Sequence, residues 1–250
     1  MHLDYGDGNV HQGYLYNSGA VKLKPWHKNP IKFLTRYEFN SLLDLGCGSG
    51  AFISKIQGKL IHPVIKGLDL DKTAVNIAKR RGLNVEYGII DEEKTNYDVI
   101  SAFELIEHID NLELLFNQIK KHLNKNGILI GTTPNNKRWS VKIGMRESFD
   151  YPPNHVNYFD KNNLENVLLN YFSSVKIYPA IKHLPFSMVR YVINDYMERK
   201  LGFNLNDVPL LKKNRYVLAL YQYILITPIW ILAYLFSFKN SPHLMFICKR

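Results

Sequence analysis

The chain has 250 residues, a formal net charge of +10 and two cysteines. This length suits one α/β domain with a sizeable core and one additional element, whereas two cysteines exclude a disulfide framework and fit a reducing cytosol. Residues 1–8 contain no apolar run, so we expect no secretory signal peptide there. Residues 1–40 are predicted to form a cover that ends in a first helix over residues 27–37.

Residues 41–50 read Ser-Leu-Leu-Asp-Leu-Gly-Cys-Gly-Ser-Gly, which predicts a buried strand, a glycine-rich turn and the start of a helix. Three glycines at alternate positions allow positive φ angles and let the backbone pass close to a ligand. Open α/β sheets use such units to hold adenosine-bearing cofactors at the carboxyl ends of their strands. The spacing differs from the dinucleotide motif, and no lysine follows it as in a P-loop.

Three further elements are predicted after this turn. Residues 65–71 form a short apolar strand that ends in acids, and an acid at this place can accept hydrogen bonds from both ribose hydroxyls. A helix over residues 73–82 is closed by Gly82. A third strand follows over residues 85–87, with Asp91 just beyond it.

A fourth strand over residues 97–103 leads directly into Glu104-Leu-Ile-Glu-His-Ile. The next predicted elements are a helix over residues 112–123 and a strand over residues 128–133. Asp160 has the position of an N-cap for a helix over residues 163–169.

These segments, in this order, resemble class I S-adenosylmethionine-dependent methyltransferases over roughly residues 27–180 and again at the end of the chain. The resemblance implies an α/β fold with a Rossmann-like doubly wound sheet, mostly parallel with an antiparallel last strand. It also implies S-adenosylmethionine as the cofactor. The cofactor-binding residues that the resemblance implies are Asp44 near the amino group, Gly46, Cys47, Gly48 and Gly50 along the methionine and ribose, Asp69 at the ribose hydroxyls, Leu70 and Asp91 at the adenine, and Phe103.

Methyl transfer from a sulfonium is an in-line displacement, so the enzyme mainly holds the nucleophile at reactive distance. The segment after the fourth strand borders the methyl donor in this fold. His108 is the predicted general base because an imidazole titrates near neutral pH. Glu107 and His155 are the other two predicted catalytic residues.

The glycine turn followed by Glu-x-x-Glu-His is similar to the ubiquinone-biosynthesis O-methyltransferases. It is also similar to the small-RNA ribose O-methyltransferases, in which two glutamates and two histidines hold a divalent ion. The corresponding set here is Glu104, Glu107, His108 and His155, which suits Zn²⁺ as well as or better than Mg²⁺ or Mn²⁺. The alternative is that Glu107 and His108 cap the helix and form hydrogen bonds within the domain with no metal, and the metal is not the favoured interpretation.

Residues 183–240 are predicted to form a helical insertion before the last strand, beginning with an amphipathic helix over residues 186–197. Residues 216–238 are apolar and carry no charge. They are long enough to span a bilayer. However, the last strand, over residues 243–249, must lie on the same side of the membrane as the rest of the domain, and a single span would carry it across. We therefore expect a segment that lies in the membrane interface or returns near Pro228, the alternative being a lid or dimer face.

The charge distribution favours an anionic membrane surface as a partner. Residues 183–250 hold nine Lys and Arg residues against three Asp and Glu residues, and a basic excess attracts anionic partners. Lys212, Lys213, Arg215 and Lys239 flank the apolar stretch. Because these charges are interleaved with apolar residues, nucleic acid is not the expected partner.

The sequence as a whole predicts four regions: a cover over residues 1–40, a cofactor-binding core over 41–182, the insertion over 183–240 and a last strand over 241–250. The predicted function is O-methylation of a lipid-linked or amphipathic small molecule, a quinone precursor or a glycan intermediate, at the cytoplasmic face of a membrane. The alternatives are an RNA ribose O-methyltransferase and a non-catalytic cofactor-binding subunit. Three aromatic residues of the loop before His155 could contact the acceptor or pack beneath the loop: Trp139, Phe149 and Tyr151.

Overall fold

The structure is a computed structural model that describes residues 23–60, 63–181, 184–202, 216, 220–221, 224, 226–237 and 240–250. Most of the predicted N-terminal cover therefore lies outside the described residues. The same is true of the four basic residues that flank the apolar stretch and of about half of residues 216–226.

Seven strands form one sheet in the order β3-β2-β1-β4-β5-β7-β6. The strands are β1 (Ser41–Leu45), β2 (Val64–Asp69), β3 (Val85–Tyr87), β4 (Tyr97–Phe103), β5 (Leu123–Pro134), β6 (Ser174–Pro179) and β7 (His243–Lys249). Strands β1 to β5 pair in parallel, whereas β7 runs antiparallel to both of its neighbours, β5 and β6. The predicted doubly wound sheet with an antiparallel last strand is confirmed.

Helices cover both faces of the sheet. They are α1 (Lys28–Leu34), α2 (Ala51–Gln57), α3 (Lys72–Arg80), α4 (Leu112–His122), α5 (Trp139–Lys142), α6 (Lys161–Leu169), α7 (Phe186–Leu201) and α8 (Thr227–Ser237). Short 3₁₀ turns occur at Pro25–His27, Ile90–Glu92, Ile106–His108 and Ser148–Asp150. The apolar side chains that alternate along the strands divide into two core clusters, one on each face.

Local capping explains where two of the predicted helices begin. Asp71 accepts hydrogen bonds from the backbone N–H groups of residues 73 and 74, which starts α3. Asp160 starts α6 in the same way, and the Asn163 side chain accepts a hydrogen bond from the Asp160 N–H to complete a capping box. The predicted N-cap at Asp160 is confirmed.

Strand β5 and helix α7 are two of the elements whose bounds differ from the predicted ones. Strand β5 already begins at Leu123, because Leu123 pairs with Tyr97 before residues 124–127 interrupt the ladder and Ile128 pairs with Val99. Helix α7 continues to Leu201 and ends at Gly202, whose φ of 63° suits a left-handed C-terminal cap.

The insertion has a small core of its own. Trp139 of α5 packs with side chains of α7 and α8, and the buried members of this cluster are Trp139, Leu184, Val189, Val192, Ile193, Ile226 and Ala233. Pro228 is the second residue of α8, and Ile224 and Ile226, shortly before it, are also helical.

Candidate active site

The glycine turn connects β1 to α2 at the carboxyl edge of the sheet. Gly46, Gly48 and Gly50 have φ angles of 66°, 53° and 77°, which residues with side chains rarely adopt. At Gly50, an added Cβ would also overlap the Leu83 side chain. The turn therefore requires glycine and leaves its backbone open to a ligand.

Asp69 is the last residue of β2 and lies against this turn. Its Oδ2 accepts a hydrogen bond of 2.6 Å from the Gly48 N–H, and its Oδ1 accepts one of 2.8 Å from the Asp71 N–H. Burial raises the pKa of Asp69, and these two N–H groups oppose that rise. Each carboxylate oxygen can accept a further hydrogen bond.

Other groups at this edge fit an adenosine. Leu70 is 37% exposed and offers an apolar surface beside Asp69. Asp91 Oδ1 is buried and has no hydrogen-bond partner among the described residues, so a donor on a ligand would satisfy it. The hydrogen bond between Gly48 and Asp69 joins the glycine turn to the end of β2, and Asp91 remains a predicted residue of the adenine site.

The remaining predicted cofactor residues are largely buried. Asp44 accepts a hydrogen bond of 2.6 Å from Ser101 Oγ, and burial raises the pKa of Asp44 to about 7 against the effect of that bond. Burial also raises the pKa of the Cys47 thiol, which keeps it protonated and unreactive. Phe103 packs against Phe52, with ring centroids 4.6 Å apart.

Glu104 begins the segment that follows β4. Its φ of 52° is unusual for a residue with a side chain, and its N–H donates a hydrogen bond of 2.8 Å to the Thr132 carbonyl. Its Oε2 lies 3.1 Å from His243 Nε2. Burial opposes ionisation of Glu104, but the nearby His243 lowers the pKa of Glu104 overall.

Glu107, His108 and His155 form a compact triad, in which one side-chain ligand atom from each residue lies within 4.8 Å of the other two. Glu107 is buried, and its Oε2 accepts a hydrogen bond of 3.0 Å from Thr133 Oγ1. Its Oε1 has no hydrogen-bond partner among the described residues. Burial, followed by the charge of Glu104, raises the pKa of Glu107 well above its usual value.

The two histidines of the triad share one hydrogen-bonding pattern. His108 Nδ1 lies 2.6 Å from the Asn154 carbonyl oxygen, and His155 Nδ1 lies 3.2 Å from Asp150 Oδ1. Both partners are acceptors, so in the neutral rings the proton is on Nδ1 and the lone pair is on Nε2. Burial lowers the pKa of His108, which favours the neutral ring at pH 7.

Chemically, this triad can accept a proton from a hydroxyl group or hold a cation. Two imidazole nitrogens and one carboxylate oxygen fit the donor set of a zinc site, and both Nδ1 atoms already have the outer-shell partners that such ligands need. The predicted set of four ligands is not assembled, because Glu104 pairs with His243 instead. We therefore correct that set to three residues and assign no metal to it.

Comparison with known proteins decides the family. A family model described as "Methyltransferase domain" matches residues 21–171. The chain belongs to this methyltransferase family. The predicted resemblance to class I S-adenosylmethionine-dependent methyltransferases is confirmed.

The curated relatives of this methyltransferase include two ubiquinone biosynthesis O-methyltransferases. The protein of Rickettsia canadensis is 31% identical over 110 residues, which are 42% of this chain and 47% of that protein. The protein of Pelagibacter ubique is 32% identical over 135 residues, which are 48% of this chain and 55% of that protein. The chain thus matches about half the length of these relatives.

Solved structures confirm the fold of the methyltransferase. A plantazolicin methyltransferase in complex with a triazolic desmethylPZN analog and SAH has a TM-score of 0.60 at 14% identity, covering 98% of this chain and 93% of that chain. A SAM-dependent methyltransferase from Archaeoglobus fulgidus has a TM-score of 0.58 at 16% identity, covering 95% and 99%. At these identities the likeness concerns the fold alone.

Some residues at the site of the methyltransferase were not expected from the sequence. The Trp26 ring stacks on His243 with centroids 4.5 Å apart. His27 lies edge-on to Phe103 at 5.1 Å, and burial lowers the pKa of His27 to about 4. These contacts join segments that are far apart in the chain or in different elements, which a local sequence pattern does not reveal.

The three aromatic residues of the loop have different positions. Phe149 packs edge-on against His108 at 5.9 Å and against His155 at 5.3 Å. Trp139 is buried in the core of the insertion, whereas Tyr151 is 45% exposed. Of these three side chains, Phe149 therefore contacts the triad. Trp139 packs as a core residue, which is the second of the two predicted possibilities.

Proposed function

We propose that this methyltransferase binds S-adenosylmethionine in the cleft above its glycine turn and methylates a hydroxyl group of an amphipathic small molecule. The cofactor supplies an electrophilic methyl group when it is bound. The close-approach backbone of the turn, the spare lone pairs of Asp69 and the unpartnered oxygen of Asp91 support this placement. The apolar surface of Leu70 suits an adenine ring.

One observation carries the proposed chemistry: the 2.6 Å contact between His108 Nδ1 and the Asn154 carbonyl. This contact leaves Nε2 with a lone pair that can take a proton from the acceptor hydroxyl as the new carbon–oxygen bond forms. The lowered pKa of His108 keeps the base neutral and ready at physiological pH. In this proposal His155 and Glu107 orient the hydroxyl.

For the acceptor, we propose a quinone precursor, meaning a phenol that carries an apolar chain. The names of the curated relatives place them in ubiquinone biosynthesis, and Phe149 supplies an aromatic contact beside both histidines. A hydroxyl of a lipid-linked glycan intermediate is the second candidate, because it would use the same apolar insertion.

The test is transfer of a labelled methyl group from S-adenosylmethionine to three probes: a prenylated phenol, a polyprenyl-phosphate-linked sugar and an RNA oligonucleotide. We expect label on the phenolic oxygen, located by mass spectrometry. Label on the sugar would favour the second candidate. Label only on RNA, or on none of the three, would contradict the proposal.

Asp69→Ala is expected to weaken S-adenosylmethionine binding by about 1–3 kcal/mol, the cost of losing partners for buried polar groups. This corresponds to a dissociation constant roughly 5 to 150 times higher. Isothermal titration calorimetry measures the effect, and circular dichroism verifies the fold. Asp110→Ala, which removes an exposed carboxylate, is the matched control, and unchanged affinity of Asp69→Ala would refute the assignment.

We also propose that the insertion docks on an anionic membrane surface. Helix α8 has no charged residue, and Ile231, Leu232 and Leu235 are 47%, 69% and 59% exposed on it. Contiguous exposed apolar surface of this kind marks an interaction site. The basic excess of residues 183–250 suits anionic headgroups.

This association would be peripheral. Within the described residues, no helix combines the length and hydrophobicity that crossing a bilayer requires. An interfacial position that buries the exposed leucines is the arrangement we propose.

Vesicle flotation is expected to detect this docking. The protein should float with vesicles that contain phosphatidylglycerol, and the double variant Leu232→Ser/Leu235→Ser should remain at the bottom of the gradient. Leu169→Ser, which removes a leucine that is 51% exposed on α6, is the matched control and should float. Absence of flotation, together with a dimer that the double variant disrupts, would show instead that a second copy covers this face.

A further inference from the structure

We propose that the insertion positions His155: Asp195 of α7 fixes the turn Ser148–Asp150, and Asp150 on that turn fixes the ring of His155. The inference rests on the proposed function, since it concerns a residue of the proposed site. It assigns Asp150 and Asp195 as positioning residues, which act on the acceptor through His155 alone.

The first step is the contact between Asp150 and His155. Both residues are buried, and Asp150 Oδ1 lies 3.2 Å from His155 Nδ1. A carboxylate that accepts from Nδ1–H selects one tautomer and one ring orientation, which directs the Nε2 lone pair into the site. Arg138, also buried, pairs with the other oxygen of the same carboxylate, and Arg146 lies 3.9 Å from that oxygen.

These charges keep Asp150 ionised. Burial opposes ionisation, but the hydrogen bond from His155 and the charge of Arg138 lower the pKa of Asp150 overall. An ionised Asp150 can only accept hydrogen bonds. It therefore holds His155 in the tautomer that leaves Nε2 unprotonated.

The second step is the contact between the turn and α7. Asp195 accepts a hydrogen bond of 3.1 Å from the Ser148 N–H and another from Ser148 Oγ. Arg199, one helical turn later, donates to Asp195 Oδ2 over 3.0 Å and also donates to the Arg146 carbonyl. The loop is thus attached to α7 on both sides of Glu147.

The ends of the same loop are attached elsewhere. Asn135 Nδ2 donates to the Ser241 carbonyl at 2.8 Å, and Asn157 Nδ2 donates to the Ile109 carbonyl at 2.7 Å. The loop ends are therefore held by segments beside β7 and β4, whereas its middle is held by the insertion at Ser148 and by Arg138 and Tyr158 at Asp150. A loss of the contact at Ser148 should consequently be transmitted to Asp150 rather than to the loop ends.

The experiment is ¹⁵N NMR of the full chain labelled on histidine, at a pH where the rings are neutral, with the His155 signals assigned from a His155→Gln sample. In the unmodified protein we expect one His155 tautomer, with the proton on Nδ1. Asp195→Ala should give a mixture of tautomers, as should Asp150→Asn. Asp195→Asn, whose amide oxygen can still accept from Ser148, should retain the single tautomer.

His122 is the internal control, because its nitrogens contact the Gln118 and Glu93 carbonyls at 2.9 Å and 3.0 Å, far from this loop in the sequence. Unchanged His122 signals show that a variant is folded. If Asp195→Ala fails to fold, Ser148→Ala removes the hydroxyl contact instead. Glu113→Gln, an exposed change on α4, should alter neither histidine.

A single unchanged His155 tautomer in a folded Asp195→Ala or Ser148→Ala protein would overturn the inference. Methyl transfer to the phenol probe separates this outcome from failure of the proposed function. We expect Asp150→Asn to lower the transfer rate about 10- to 100-fold. Should His155→Gln leave that rate unchanged while Asp195→Ala still alters the tautomer, His155 is positioned as inferred and the proposed role of His155 is wrong.

Discussion

Replacement of His108 by glutamine is expected to lower the rate of methyl transfer about 100- to 10,000-fold, the range that a general base contributes. Glutamine retains a polar side chain of similar length but has no nitrogen lone pair to take the proton. The affinity for S-adenosylmethionine should stay nearly unchanged, because the cofactor cleft is formed by the glycine turn and Asp69. Initial rates with the prenylated phenol and calorimetry with the cofactor measure the two effects separately.

The pH dependence of the methyl-transfer rate tests the same prediction independently. Since burial lowers the pKa of His108 from its usual 6.5, the base is neutral above that lowered value and charged below it. The rate should therefore rise with pH through a limb that lies below pH 6.5, and His108→Gln should lack this limb. A limb that persists in the variant would assign the base elsewhere.

Treatment with a chelator tests whether the triad holds a cation instead of accepting a proton. If transfer is lost on chelation and restored by Zn²⁺, then Glu107, His108 and His155 hold a cation and His108 is a ligand rather than a base. If chelation has no effect and His108→Gln keeps its full rate, the proposed role of His108 is contradicted. Glu113→Gln should behave like the unmodified protein in each assay.

Replacement of Arg138 by methionine is expected to reduce the free energy of unfolding by about 3–5 kcal/mol, as removal of one partner of a buried ion pair does. Arg138 pairs with the buried Asp150 and lies 3.6 Å from Glu147 Oε1. Methionine fills much of the same volume but removes the buried cation beside these carboxylates, and Arg146 at 3.9 Å remains as the more distant partner of Asp150. Urea unfolding measures the loss.

The neighbouring residue offers a matched control. Lys137 is half exposed and pairs with Asp160 at 2.9 Å, so Lys137→Met should cost no more than about 1 kcal/mol. The double variant Arg138→Met/Asp150→Asn should recover part of the loss, because it removes one of the unpaired charges. Equal losses for the two single variants would show that the buried network contributes nothing beyond a surface pair.

Several features of the site could be predicted from the sequence because they depend on residues that are close together in the chain. The alternate glycines require a turn with positive φ angles. Asp69 could be located because it is the last residue of an apolar strand. The N-cap at Asp160 is also local. In each case a short segment determines both the backbone conformation and the direction of the side chain.

The rest could not be predicted, since it depends on how distant segments meet. The resemblance to the small-RNA methyltransferases implies a ligand set that includes Glu104 and Glu107, yet Glu104 pairs with His243, which lies far along the chain. The positions of Trp26 and Asp150 likewise follow from the strand order and from the path of one loop. A single sequence contains no local pattern for such pairs.

The place of β7 in the sheet has a consequence for the order of folding. This strand follows the insertion in the chain but lies between β5 and β6, so neither strand has that partner until β7 enters. Open strand edges favour pairing with other chains. While the edges remain open, the apolar face of α8, which precedes β7, has already been synthesised. A partner that covers the apolar face of α8 early would therefore protect the nascent chain from aggregation until β7 completes the sheet.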